Sequence, residues 1–238
     1  KLKAYAKDDH ITVVKNLDYW GQPAQVDEII FRFMPDPNTR VLALQAGEVD
    51  LIYDTPRESA RLLQETEGIV VLPATVGAYQ ALSIMNTGQP PYDLTQDILV
   101  RRAIGYALDR EAIIETAFDG FAEASQTLIP ASVLGDYANR VEGFSYDPVQ
   151  AAALLEEAGW VDTDGDGIRE KAGRTLTLEI ISGYPTASDN GQTPEVIQAQ
   201  LREVGIDSTI TTINDSAAYD DRLTEKQGDL WVEIGNQN

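Results

Sequence analysis

From Asp147 to Ile234 the chain alternates helix and strand, and that alternation constrains the fold more than any other feature. Asp147-Pro148 opens a helix: the aspartate side chain caps free backbone N–H groups, and proline fits the first turn, where its missing N–H costs nothing. Ala151, Leu154, Leu155 and Ala158 recur at helical spacing, and Gly159 ends the segment. A strand follows at 176–181, then a polar loop over 183–192 and a helix over 194–204. The span 206–213 has the period of a half-buried strand. A helix over 216–226 and a strand over 229–234 complete the series. Strands separated by helices give an α/β fold, a mixed sheet with helices packed on it.

The first third reads differently. Residues 1–83 are strand-rich, with strands expected near 11–15, 26–34, 49–53, 69–72 and 78–85. Short helices are expected near 39–46, after Asp36-Pro37-Asn38, and near 57–65, after Pro56. The run Gly88-Gln89-Pro90-Pro91-Tyr92-Asp93 interrupts this pattern. Asp97 then starts a helix with Ile98, Ala103, Ile104, Ala107 and Leu108 on one face, and a second helix spans 109–118. The proline run marks the expected domain boundary, giving residues 1–87 and 88–238.

Composition removes several function classes. The 238 residues carry a net charge of −21. That disfavours a nucleic-acid partner, which needs clustered Lys and Arg, and an anionic membrane surface. There is no cysteine, so disulfides, thiolate metal sites and Cys nucleophiles are excluded. The one histidine, His10, stands before a strand, and a His-containing triad or multi-His zinc site cannot be built from it. No apolar run approaches the roughly 20 residues that span a bilayer. Nor is there a basic segment followed by an apolar one at Lys1, so a secretory leader is expected to have been removed. P-loop, dinucleotide-glycine and nucleophile-elbow patterns are missing.

One motif carries metal chemistry by itself. In Asp162-Thr163-Asp164-Gly165-Asp166-Gly167-Ile168-Arg169-Glu170, alternating carboxylates lead into a glycine, as in the first half of a calcium loop. Asp162, Asp164 and Asp166 would supply side-chain oxygens, Ile168 its carbonyl and Glu170 a further carboxylate. The twelfth position is Gly173, so the bidentate glutamate of that pattern is missing. The competing reading is a solvated Asp/Gly turn. No cofactor is required on this reading, and any Ca2+ would be structural.

The order of several longer motifs resembles a known family. These are Asn16 to Pro56 (NLDYWGQPAQVDEIIFRFMPDPNTRVLALQAGEVDLIYDTP), Pro90-Pro91-Tyr92-Asp93 through Arg101 to Ile113, Gly120 with Ile129-Pro130, and Tyr146-Asp147-Pro148 with Ala151 to Trp160. They are similar to the extracytoplasmic solute-binding proteins of ABC importers, family 5, the branch of peptide and nickel receptors. There the Asp/Gly loop is a common helix–strand connection. The resemblance implies a two-lobed, type II periplasmic-binding-protein fold. The chain would be a fragment covering part of lobe 1 and most of lobe 2.

Function follows from the same resemblance as an expectation. The chain would belong to a receptor that holds a peptide, metal complex or oligosaccharide in an interlobe cleft without catalysis, and delivers it to a membrane permease. It would be a monomer, periplasmic or lipid-anchored at the cell surface. Tyr79, Ser83 and Asn86 lie on the segment similar to the family's crossing strand. Glu233 and Asn236 occupy the place where relatives carry an aromatic residue and an Asp that grips a peptide amine. Two other readings stay open: a carboxylate-dependent hydrolase, since acidic residues abound, and a calcium-stabilised surface binding module.

Overall fold

The computed structural model describes residues 1–53, 55–72, 78–129, 134–183 and 192–236; the side chains of 78, 139 and 236 lie outside the description. The chain divides into two compact units, 1–71 and 72–238.

The first unit holds a three-stranded antiparallel sheet of β1 (Leu2–Ala6), β2 (His10–Val14) and β3 (Glu28–Arg32), in that order. Helix α1 (Pro37–Gln45) begins where expected. Asp36 accepts from Thr39 N–H at 2.7 Å, and Pro37 takes the first helical position. Helix α2 (Arg57–Gln64) follows, with Ala60 and Leu63 buried. The strands expected at 49–53 and 69–72 do not form. A strand persists only when a neighbour completes its hydrogen-bond ladder, and no described strand pairs with these segments. Leu51 and Tyr53 are each 78% exposed and Leu72 81%. Strand β1 was not expected from the sequence; it is one half of a hairpin with β2.

The second unit is built on a sheet of order β4-β9-β7-β8. Its strands are β4 (Ala78–Ile84), β7 (Thr177–Gly183), β8 (Asp207–Ile213) and β9 (Leu230–Asn236). Strands β8 and β9 lie parallel to β7 on either side of it, and β4 runs antiparallel along β9. A small hairpin, β5 (Glu170–Lys171) with β6 (Arg174–Thr175), precedes β7. The structure therefore draws the division earlier than the expected boundary at 87/88. Strand β4, counted with the first portion by its place in the chain, pairs from Ala78 to Ile84 with a strand some 150 residues later. A proline-rich run signals a bend in the chain, and which sheet the preceding strand joins is decided by pairing.

One face of this sheet packs on three helices. They are α3 (Ile98–Ala107), α5 (Pro148–Glu157) and α6 (Gln192–Glu203); α4 (Arg110–Phe118) directly follows α3. Val100, Ile104, Leu155, Leu178, Ile180, Leu201, Leu230 and Val232 form the core there, each 1% exposed or less. Burial of one such side chain stabilises by about 1.5–3 kcal/mol. The opposite face carries a smaller cluster of Ile181, Trp231 and Tyr219, the last from α7 (Ser216–Thr224). So α6 joins β7 to β8 across one face, and α7 joins β8 to β9 across the other. The helices expected from the alternating pattern all form.

Candidate functional site

In an open α/β sheet, ligands lie beyond the carboxyl ends of parallel strands, at the point where successive connections depart in opposite directions. Here that point is the end of β7, because one connection leaves toward β8 and the next returns past β7 to β9. The residues at this edge are Gly183 of β7, Glu233 and Gly235 of β9, and Tyr79 of antiparallel β4, while Ser83 stands toward the other end of β4, opposite Trp231.

Three of the sequence-selected residues come together on one face. Register puts Tyr79 opposite Gly235, Ala81 opposite Glu233 and Ser83 opposite Trp231. The Ser83 hydroxyl donates to Glu233 Oε2 at 2.8 Å. The Tyr79 ring lies over Gly235: a Cβ there would fall 2.2 Å from Tyr79 Cζ, so a larger residue would have to push the ring aside. All three are half-buried. Gly183 is fixed by backbone crowding, since a Cβ would sit 1.8 Å from the Ile213 carbonyl oxygen and φ is 141°.

The remaining two separate from this group. Asn86 is exposed and lies two residues past the other end of β4, where Ile84 faces Leu230. At about 3.3 Å per residue it stands roughly 20 Å along the strand from Tyr79. Asn236 pairs opposite Ala78 at the edge, with its side chain outside the described atoms.

Sequence reasoning missed the residues that back this edge. Tyr219 meets Trp231 edge to face, with centroids 5.0 Å apart and planes at 89°. Burial, then the charges of Glu233 and Asp220, push its phenol up to about 12. Further down the same face, Glu179 accepts from Arg222 Nη2 at 2.7 Å and from the Thr211 hydroxyl at 2.6 Å, while Arg222 also donates to the Tyr92 hydroxyl. This network joins α7 to the sheet. Asp229 stitches three strands: its N–H donates to the Glu179 carbonyl, its Oδ2 accepts from Glu179 N–H at 2.9 Å, and its carbonyl accepts from Met85 N–H. It is 3% exposed, and Oδ1 has no partner among the described residues. Burial raises its carboxyl to about 6. The partners in these networks are far apart in the chain, so no local spacing announces them.

The Asp/Gly loop closes on itself. Ligand oxygens of Asp162, Asp164, Asp166 and Glu170 lie within 4.8 Å of one another, a spacing that a divalent cation can bridge. The same carboxylates accept loop N–H groups: Gly165 and Gly167 donate to Asp162, Asp166 to Asp164, Ile168 to Asp166 and Thr163 to Glu170. The Ile168 side chain is buried. His10 opens β2 and contacts Asp9 at 2.9 Å.

Comparison with known proteins is decisive for the family. The sequence profile described as "Bacterial extracellular solute-binding proteins, family 5 Middle" matches residues 1–238. The chain belongs to this family. It is 34% identical over 212 residues to the nickel-binding periplasmic protein of Escherichia coli K12, covering 87% of this chain and 39% of that protein. It is 32% identical over 216 residues to the glutathione-binding protein GsiB of Shigella flexneri, covering 90% and 38%. Among solved structures, NikA from Brucella suis in complex with Fe(III)-EDTA superposes with a TM-score of 0.77 at 29% identity, covering 99% of this chain and 47% of that one. The chain thus spans about two fifths of the length of these curated relatives. The relatives are named binding proteins, and the type II periplasmic-binding-protein fold expected from the resemblance is the fold observed. No helix among the described residues is long and apolar enough to cross a membrane.

Proposed function

We propose that this chain is part of the solute receptor of an ABC importer. The receptor holds a small polar solute of the peptide class outside the cytoplasm and passes it unchanged to a membrane permease. The observation that carries the reading is the sheet edge itself. At the carboxyl ends, where such folds take ligands, Tyr79 lies against Gly235, and Glu233 accepts at 2.8 Å from Ser83, which stands further down β4. Family membership supports capture rather than chemistry, and the family relatives named above carry nickel- and glutathione-binding names. A hydrolase would need two carboxylates facing the solute. Glu179 is instead tied to Arg222 and Thr211, and Asp229 is buried in the strand junction.

Isothermal titration of the whole protein against small peptides tests the reading. Saturable one-to-one binding is expected, weakened at least about tenfold by Tyr79→Ala through loss of aromatic contact area. Binding untouched by Tyr79→Ala would move the site elsewhere.

Calcium enters only as an accessory at the Asp162–Glu170 loop, where the converging oxygens favour it. Bound there it would stiffen the connection into β7 without touching solute. Millimolar Ca2+ is then expected to raise Tm in the native chain and not in the Asp162→Asn, Asp166→Asn double variant.

A further inference from the structure

The segment that leaves β4, residues 85–96, forms a strap at the amino-terminal end of β7 and β9. Met85 N–H donates to the Asp229 carbonyl at 2.9 Å, and the Thr95 hydroxyl donates to the Met85 carbonyl. Gln96 donates to the Gly88 carbonyl and closes the strap on itself. The Tyr92 hydroxyl accepts from Arg222 of α7 at 3.2 Å. Asp93 accepts from Arg174 Nη2 at 2.7 Å and Nη1 at 3.1 Å.

The last two pins are guanidinium contacts, and each guanidinium also answers to a carboxylate of the sheet. Arg222 donates to Glu179 at 2.7 Å, and both side chains are largely buried. Arg174 lies in the field of Asp229. Its pair with Asp93 is the more open one, with side chains 48% and 25% exposed. An ion pair that wet is weak, so a buried charge beside it can compete for the cation.

Asp229 is placed to supply that charge. It is 3% exposed, and Oδ1 has no partner among the described residues. The charged groups that reach it are Glu179 from β7, Asp93 from the strap and Arg174 from β6. Strand β4 carries no Asp, Glu, Lys or Arg, and Arg222 of α7 is engaged by Glu179 and Tyr92. Ionised, Asp229 repels Asp93 and draws on Arg174; neutral, it does neither. Burial, with the Glu179 and Asp93 charges, lifts its carboxyl to about 6 against the pull of Arg174 and the Glu179 N–H.

We infer that Asp229 is a proton-operated latch on the strap. Protonated, it leaves Arg174 to Asp93 and the strap stays pinned. Ionised, it competes for Arg174 and the strap lifts at Asp93. The device governs the exit of β4, the strand whose other end carries Tyr79, and it acts whatever the solute is.

Amide hydrogen exchange on the whole protein tests the latch. The reporters are Tyr92 and Gln96, whose N–H groups bond within the strap to the Gln89 and Asp93 carbonyls at 2.7 and 3.1 Å. After correction for the intrinsic effect of pH, protection there is expected to be about fivefold higher at pH 5 than at pH 8, the worth of one exposed ion pair. The core amides of β7 report global unfolding, which local opening of the strap bypasses. Asp229→Asn should keep the high protection at both pH values. Arg174→Gln, which removes the pin, should show the low protection at both. Equal strap protection at the two pH values in the native chain overturns the inference, as does a pH effect that survives either substitution. A pH effect at the β7 amides alone would tie Asp229 to global stability and overturn it as well.

Discussion

Asp229→Asn should abolish a rise in stability that the native second unit gains on mild acidification. Asp229 is 3% exposed, donates and accepts at the junction of β4, β7 and β9, and keeps one oxygen without a described partner. The charged form is therefore poorly solvated, and the Glu179 and Asp93 carboxylates add repulsion that Arg174 only partly offsets. Together they lift its carboxyl from 3.8 to about 6. Because the folded state holds the proton more tightly, it binds more protons than the unfolded chain between these values, and stability falls as pH rises. With each pH unit between the two values equivalent to about 1.4 kcal/mol, the full difference is about 3 kcal/mol, reached below pH 3.8. Between pH 8 and pH 5 the group contributes about 1.4 kcal/mol of that gain. Urea denaturation of the native chain and Asp229→Asn at both pH values isolates it, since every other titrating group is common to the two. The asparagine keeps the acceptor for Glu179 N–H and removes the titration. Equal pH dependence in the two proteins would refute the buried-charge argument.

Gly183→Ala should destabilise the second unit by about 2–4 kcal/mol, since its Cβ would meet the Ile213 backbone at 1.8 Å and φ is 141°; the urea midpoint reads this directly. Arg222→Met should leave Glu179, 18% exposed at its side chain, without its cation, at a loss of about 3 kcal/mol; adding Glu179→Met to the same chain should recover part of it in a double-mutant cycle. Tyr219→Ala removes a buried ring packed on Trp231, and a loss of about 3–5 kcal/mol with a shifted Trp fluorescence maximum is expected.

Much of the fold was written in local chemistry. Asp36-Pro37, Asp97, Asp109, Asp147-Pro148 and Asp215 each start a helix by accepting a backbone N–H within the first turn, and side-chain and spacing signals of this kind act over three or four residues. What failed was pairing. Segments 49–53 and 69–72 have strand composition without a described neighbour, and β4 joined a sheet whose other strands lie about 100 residues or more later in the chain. The candidate site divided along the same line. The motif resemblance pointed to Tyr79, Ser83 and Glu233, and the structure puts them on one face of the sheet, with Ser83 bonded to Glu233. Asn86 shared their segment but lies past the end of the strand and is exposed. Tyr219, Glu179, Arg222 and Asp229 act through contacts that span 12 to 50 residues of chain, with Tyr92 joined to Arg222 across 130. No periodicity encodes such distances.

The central claim is capture without transformation, and the chemical state of the released ligand tests it most directly. Whole protein loaded with trialanine, washed and then denatured should return one equivalent of ligand with its mass unchanged after prolonged incubation. Recovery of alanine or dialanine, with time-dependent loss of the parent mass, would contradict the account.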